Sequence, residues 1–423
     1  MNDRNNDVGG ILESSYTDIK NRGFAYVQKR LIGTAILSDE EVKRLIEEFV
    51  YSDFDASGLN RSVQIQLGHE LFNRIRRLDV LSDFLEDDSV TEIMVNGIQE
   101  IFVEKKGHIV GTGKRFENKE RLFDIIGTIA ANVNRVINMS SPILDARLDD
   151  GSRVNAVLDP VAINGPCLTI RRFPADPVDA DKLISYKSVT KEVLLFLKDL
   201  VVAGYNILIS GGTGSGKTTF LNVLSGYIPR DERVITIEDS AELKIMGIHN
   251  LVRLETRNAT SEGVREISIR DLIRTALRMR PDRIVVGEVR GEEAIDMLQA
   301  FNVGQDGSLS TIHANSAEDA VSRLETMVML STNIPLAALR RQIASGVDII
   351  IHLGRLRDKS RRLLEIREVL GTDGSRIQTH TLYRFCENSF AGENSTSVKG
   401  KLVKEEELFH TDKLRRAGIT YEL

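Results

Sequence analysis

The octapeptide Gly211-Gly212-Thr213-Gly214-Ser215-Gly216-Lys217-Thr218 fits G-x-x-x-x-G-K-[ST] at every fixed position, the pattern of a loop that cradles nucleotide phosphates. The apolar run Asn206 to Ser210 feeds it, and Thr219 to Leu224 continues as a helical stretch. Strand, loop and helix therefore stand in the order the chemistry needs, with backbone N–H groups and the positive helix end converging on the phosphates. Glycines allow positive φ and close backbone approach. Lys217 is placed to neutralise the β- and γ-phosphates, and the Thr218 hydroxyl to ligate Mg²⁺.

Around this loop, apolar runs of four to six residues alternate with helical stretches: Arg233 to Glu238, Arg283 to Val286, Ser308 to Ile312 and Val347 to His352. Runs of that length separated by helices predict a mainly parallel sheet covered on both faces, an α/β core. Thr190 to Ala203 reads as a helix with Gly204 as its stop. Upstream, residues 1–87 repeat apolar positions at helical spacing (Val42, Leu45, Ile46, Phe49; Leu71, Ile75, Leu78, Leu81) and predict amphipathic helices. Residues 88–172 change to short β-type runs, Glu92 to Val95, Glu100 to Glu104, Arg153 to Leu158 and Cys167 to Arg172, around a helical stretch from Asn118 to Ile137. This predicts a small α+β domain. Residues 173–187 carry Pro174 and Pro177 and read as a linker, 188–370 as the nucleotide-binding domain, 371–423 as a C-terminal appendage, with Glu387 to Gly400 a polar mobile loop.

The 423 residues are too many for one ordinary core and imply two or three domains. With 56 basic and 62 acidic side chains the formal charge is -6, so no global basic excess exists to hold a nucleic-acid backbone. Tryptophan is absent and aromatics are 5% of the chain, which leaves little for base-stacking platforms. Two widely separated cysteines, Cys167 and Cys386, make neither a disulfide framework nor a thiolate metal cage. The polar start and the lack of a long apolar run predict a cytoplasmic protein without a membrane span.

Hydrolysis needs more than phosphate binding: a group to orient water, a second hold on Mg²⁺ and positive charge near the γ-phosphate. The run Ile237-Glu238-Asp239-Ser240-Ala241-Glu242 ends the second core strand, where carboxylates face the ligand crevice of a parallel sheet. It is a candidate base or, equally, an acidic turn. Glu288 follows the third strand, offset by Gly287, as a candidate Mg²⁺-side acid; His313 follows the fourth, to sense the γ-phosphate or bond a neighbour. Ser316 and Asp319 suggest a capping box for the next helix. Arg270, Arg274 and Arg278 share a helical stripe, solvated or in part reaching across a subunit boundary. His69, His108, His249, His352, His380 and His410 lack metal-ligand spacing and receive no role.

Taken together, these elements resemble the secretion traffic ATPases of the type II/IV superfamily, and among them the CpaF-type ATPases of tight-adherence (Tad) pilus systems. The resemblance rests on Gly211 to Thr219, the acidic box Ile237 to Glu242, Arg278 to Gly291, the histidine box Gly307 to Asn315, residues 141–153 and Leu168 to Pro174, and it covers Leu81 to Leu370. It implies a RecA-like P-loop core beneath a PAS-like N-domain, in a homohexameric ring that binds ATP with Mg²⁺. It also implies roles: phosphate binding by Gly211, Gly212, Thr213, Gly214, Ser215, Gly216, Lys217, Thr218 and Thr219, Mg²⁺ on Thr218 and Glu288, Glu242 as catalytic glutamate and His313 as γ-phosphate sensor. Arg153 and Arg171 match positions from which the N-domain reaches the terminal phosphate. The ring is then peripheral to the inner face of the cytoplasmic membrane, passing motion to inner-membrane platform proteins. A nucleic-acid motor of conjugation type and a nucleotide-binding scaffold without turnover are the competing readings.

Overall fold

The computed structural model describes residues 4–32, 37–105, 107–148, 150–172, 178–257, 265–388 and 398–420. It divides into two compact units, Met1–Ala175 and Asp176–Leu423. The division lies in the proline-bearing stretch predicted as a linker; its residues 173–177, like residues 389–397 of the predicted polar loop, lie outside the described residues.

The first unit begins with helices α1 (Arg4–Leu31), α2 (Asp39–Ser52), α3 (Phe54–Ser57), α4 (Arg61–Arg76) and α5 (Ser82–Glu86). A full capping box starts α2: the Ser38 hydroxyl accepts from Glu41 N, and the Glu41 carboxylate accepts from Ser38 N. Val27, Ile46, Phe49, Leu67 and Leu71 close the helical core. Six antiparallel strands follow, β1 (Val90–Asn96), β2 (Glu100–Lys105), β3 (His108–Gly111), β4 (Ile143–Arg147), β5 (Arg153–Val157) and β6 (Cys167–Arg171), in the order β3-β2-β1-β6-β5-β4. Ile93 and Val95 alternate inward on β1 and pack with Leu122, Ile125, Ile126 and Ile129 of α6 (Lys119–Asn132). That helix stops short of the predicted Ile137 because Asn134 takes the left-handed conformation, φ 53°. Arg121 Nε to Asp79 Oδ2 at 2.6 Å and Arg74 Nη2 to Glu117 Oε2 at 2.9 Å tie the helices to the α+β part.

In the second unit, α7 (Ala180–Ser185) occupies part of the predicted linker, and α8 (Lys191–Val202) is capped by Thr190 and ends before Gly204 at φ 82°. Then come β7 (Ile207–Gly211), α9 (Lys217–Ser225), β8 (Arg233–Glu238), β9 (Asn250–Glu255), α10 (Ile269–Ala276), β10 (Arg283–Val289), α11 (Ala294–Asn302), β11 (Leu309–Ile312), α12 (Ala317–Ser331), α13 (Leu336–Gly346) and β12 (Ile349–Arg355). Strands β12-β7-β11-β10-β8-β9 run parallel in that order. Successive residues of one strand serve opposite faces: Ile207 and Ile209 join the core under α8 and α9, whereas Leu208 joins that under α11, α12 and α13. This is the predicted α/β sheet with both faces covered.

The nine-stranded sheet does not end at residue 370. β13 (Arg361–Thr372) runs through that position, and β14 (Ile377–Glu387) and β15 (Gly400–Lys404) extend the edge antiparallel. α14 (Asp412–Arg416) closes the chain, its Leu414 buried in the same core as Ile207. Residues 371–420, as far as they are described, thus continue the nine-stranded sheet instead of hanging from it.

Candidate active site

The phosphate loop leaves the buried strand β7 and enters α9 at Gly216, which has φ 96°. A Cβ on Gly211 would stand 2.5 Å from both Leu353 O and Ser215 Oγ, so glycine is sterically required there. Ser215 Oγ donates to Gly212 O at 2.8 Å, and Lys217 Nζ to the same oxygen at 3.2 Å. Lys217 is 8% exposed, a buried cation at a helix start.

Two predicted residues meet at that ammonium. Glu288 Oε1 is 3.8 Å from Lys217 Nζ, His313 Nε2 is 2.7 Å from Glu288 Oε1, and His313 Nδ1 is 3.4 Å from Lys217 Nζ. Burial holds the His313 imidazole below the usual histidine range; Glu288 opposes this, while Lys217 and Arg290 add to it. These opposing neighbours leave the shift toward the neutral ring, with burial as its main cause. Thr218 and Thr219, in the first turn of α9, are half-buried.

Glu242 sits on the loop after β8, half-buried. Lys244 N donates to Asn222 Oδ1 of α9 at 2.8 Å, so this loop is held against the helix that follows the glycine-rich loop. Glu238 departs from the expectation that it faces the ligand crevice. It is 2% exposed, and its Oε2 turns back to accept from Glu242 N at 2.7 Å and Leu243 N at 2.8 Å. Burial pushes its carboxyl up to about 7 against the pull of those two amides.

Several neighbouring residues had been given no individual role. Arg290 Nη2 lies 2.6 Å from Glu288 Oε2, and its Nη1 3.4 Å from Asp239 Oδ2, bridging the two acidic elements. Ser210 Oγ is 2.9 Å from Nδ1 of His352, a buried histidine to which sequence reasoning gave no role. Arg355 and Arg361, from the β12–β13 hairpin, flank the loop: a Cβ on Gly214 would lie 3.9 Å from Arg355 Nη1 and one on Gly216 3.6 Å from Arg361 Cδ. Only the pairing of β12 with β7 brings that hairpin here.

Arg153 and Arg171 belong to the first unit, where they face each other on β5 and β6; Arg147 on β4 faces Arg153 in turn. Directly paired residues share a sheet face, so three arginines form one row. The stripe on α10 is different: Arg270 Nε and Arg274 Nε each lie 2.8 Å from the buried Asp296 of α11. Those two arginines are committed within the unit. The capping box at α12 also differs, since Ser316 Oγ accepts from Asp319 N, but the Asp319 carboxylate reaches back to Asn315 N.

Residues 76–417 match the family described as type II/IV secretion system protein. The conjugal transfer protein TrbB of Rhizobium radiobacter is 32% identical over 316 residues, which is 74% of this chain and 93% of the relative. The type IV secretion system protein PtlH of Bordetella pertussis is 35% identical over 303 residues, 66% of this chain and 89% of that one. Among solved structures, the pilus retraction motor PilT with bound ADP shares the fold with a TM-score of 0.50 at 21% identity, over 68% of this chain and 81% of that chain. Extending from the helix before the α+β sheet to the last helix of the chain, the match means that this protein belongs to the type II/IV secretion system protein family, a family of ATPases.

Proposed function

We propose that this chain is a Mg²⁺-dependent, ATP-hydrolysing motor that works as a homohexamer and powers Tad-type pilus assembly or a related type II/IV secretion system through inner-membrane platform proteins. The observation that carries the reading is the meeting of Lys217, Glu288 and His313 within 4 Å at the carboxyl ends of parallel strands, where such sheets bind ligands. The Tad branch is supported by residues 141–153 and Leu168 to Pro174. No described helix is long and apolar enough to cross a membrane, which fits a subunit that meets the membrane through other proteins.

The donors present suit Mg²⁺. Among the described residues no group of three or more His, Cys, Asp or Glu could cage a metal, and Mg²⁺ in nucleotide enzymes takes one or two protein oxygens beside phosphates and water. The Thr218 hydroxyl and the Glu288 carboxylate would be those oxygens. Mg²⁺ there would neutralise phosphate charge and orient the γ-phosphoryl group. Lys217 holds the β- and γ-phosphates, Glu242 orients water and takes its proton, and His313, beside Glu288, registers the γ-phosphate. The row Arg147, Arg153 and Arg171, with Glu92 paired to Arg171 at its end, lines up three cations on one face of the first unit, and cations so placed could meet a terminal phosphate. Closure of the first unit on bound ATP would then be the mechanical output.

Phosphate release and ATP binding by the purified chain test this. Glu242→Gln should lower kcat by roughly 10²- to 10⁴-fold while leaving ATP bound. Lys217→Ala should lose both. Normal turnover by the two variants would overturn the reading, and tight ATP binding without phosphate release by the wild type would favour a non-hydrolysing scaffold.

A further inference from the structure

Three successive backbone amides of the loop that carries Glu242 are each held by a side chain. Glu242 N and Leu243 N donate to Glu238 Oε2, and Lys244 N donates to Asn222 Oδ1. The Leu243 side chain is buried in the core under α9, so the loop is fixed from beneath as well. The base of the Glu242 side chain therefore has little freedom, although its carboxylate belongs to a half-buried residue. Two of the three anchors come from one oxygen of Glu238.

The other side of Glu238 faces β10. A Cβ on Gly287 would lie 3.0 Å from Glu238 Cγ and 3.6 Å from Glu238 Cβ. The glycine that separates the apolar strand Ile284 to Val286 from Glu288 is thus the place where the Glu238 stem packs on the β10 backbone. Gly287 O also accepts from Thr311 Oγ1 at 2.8 Å, two residues before His313. Glu238 stands between the loop of one acidic residue and the strand of the other, and touches the backbone of both.

We propose that Glu238 is a positioning residue for hydrolysis: buried between the Glu242 loop and Gly287, it sets the placement of Glu242 relative to Glu288. This rests on the reading of Glu242 as the water-orienting carboxylate. A purely structural cap would support the fold and nucleotide binding alike; a positioning role shows in turnover, with ATP affinity spared.

The test uses the full-length chain as wild type, Glu238→Ala, Glu238→Gln, Glu238→Asp and Glu242→Gln, with steady-state ATP hydrolysis, equilibrium binding of MgATP and thermal unfolding measured for each. Glu238→Ala should lower kcat by on the order of 10²-fold, the effect of an ångström-scale misplacement, with the Kd for MgATP changed by less than about threefold, below 0.7 kcal/mol. Glu238→Gln, whose carbonyl oxygen can accept from the same two amides, should recover most of the activity. Glu238→Asp keeps the charge but is one methylene too short, so it should behave like Glu238→Ala and carries the test if the alanine variant does not fold. Wild-type kcat in Glu238→Ala or Glu238→Asp would overturn the inference, as would equal losses in Glu238→Gln and Glu238→Ala, or Kd rising in step with the fall in kcat. The parent reading fails separately, if Glu242→Gln turns over normally or the wild type releases no phosphate.

Discussion

At Gly211 the backbone has φ 157° and Leu353 O leaves no room for a side chain. Gly211→Ala should therefore weaken the fold by about 1–3 kcal/mol, the scale of forced backbone strain, as read by urea denaturation. It should also weaken ATP binding, because Ser215 and Gly212 shift with it. Glu238 gives a pH signature. Its carboxyl is raised by burial to about 7 from 4.5; the Glu242 and Leu243 amides and Arg253 of β9 oppose the shift, and the Glu242 charge adds to it. Between those values the folded chain holds a proton that the unfolded chain has lost, so this residue's contribution is present at low pH and disappears as pH rises through about 7. Unfolding free energy of the wild type relative to Glu238→Gln should fall between pH 5 and 8, by at most roughly 3 kcal/mol. A flat difference would mean that Glu238 is ionised throughout. Glu288 and His313 could be nominated from sequence because each follows an apolar run, and Lys217 because it belongs to the glycine-rich motif. Arg290, Arg355 and Arg361 were not, since an arginine beside other charged residues reads the same in solvent or beside a phosphate loop.

Elements were legible where burial on both faces makes a continuous apolar run: β7, β8, β10, β11 and β12 all fall on predicted runs. The missed strands are those with solvent or charge on one side. β13 mixes Arg361, Arg362, Glu365, Arg367 and Glu368 with its buried Leu363, Ile366 and Val369, so no apolar run marks it. α10 ends at Ala276, before Arg278 of the predicted stripe, and Arg280 with φ 54° turns the chain toward β10. What makes the C-terminal strands part of the sheet is visible at Glu368, 1% exposed. Its oxygens accept from Phe409 N and His410 N, both at 2.7 Å, and lie 2.8 Å from His380 Nε2 and His410 Nδ1. Glu368→Ala should cost about 2 kcal/mol, from backbone donors left without a partner. It should also speed amide exchange in residues 405–416 more than in β7; uniform exchange across the unit would show that the clasp is not local.

For the whole molecule, the proposed ring predicts a solution mass near six subunits with ATP present, measurable by light scattering; a monomer at working concentration would contradict it. The formal charge of -6 and the absence of tryptophan predict that DNA neither binds appreciably at physiological salt nor stimulates phosphate release. Salt-sensitive stimulation would move the protein toward the conjugation-type reading. By itself the sequence determined the glycine-rich strand-loop-helix motif and the parallel α/β core. Those depend on local periodicity and on residues whose spacing is set within one strand-loop-helix unit. Only the tertiary structure decided that residues 371–420 complete the sheet, that Glu238 turns inward to hold the Glu242 loop, that Arg270 and Arg274 are bound by Asp296, and that the β12–β13 hairpin flanks the glycine-rich loop. Each of these depends on which strands or helices become neighbours, and that pairing is a matter of shared burial between distant segments.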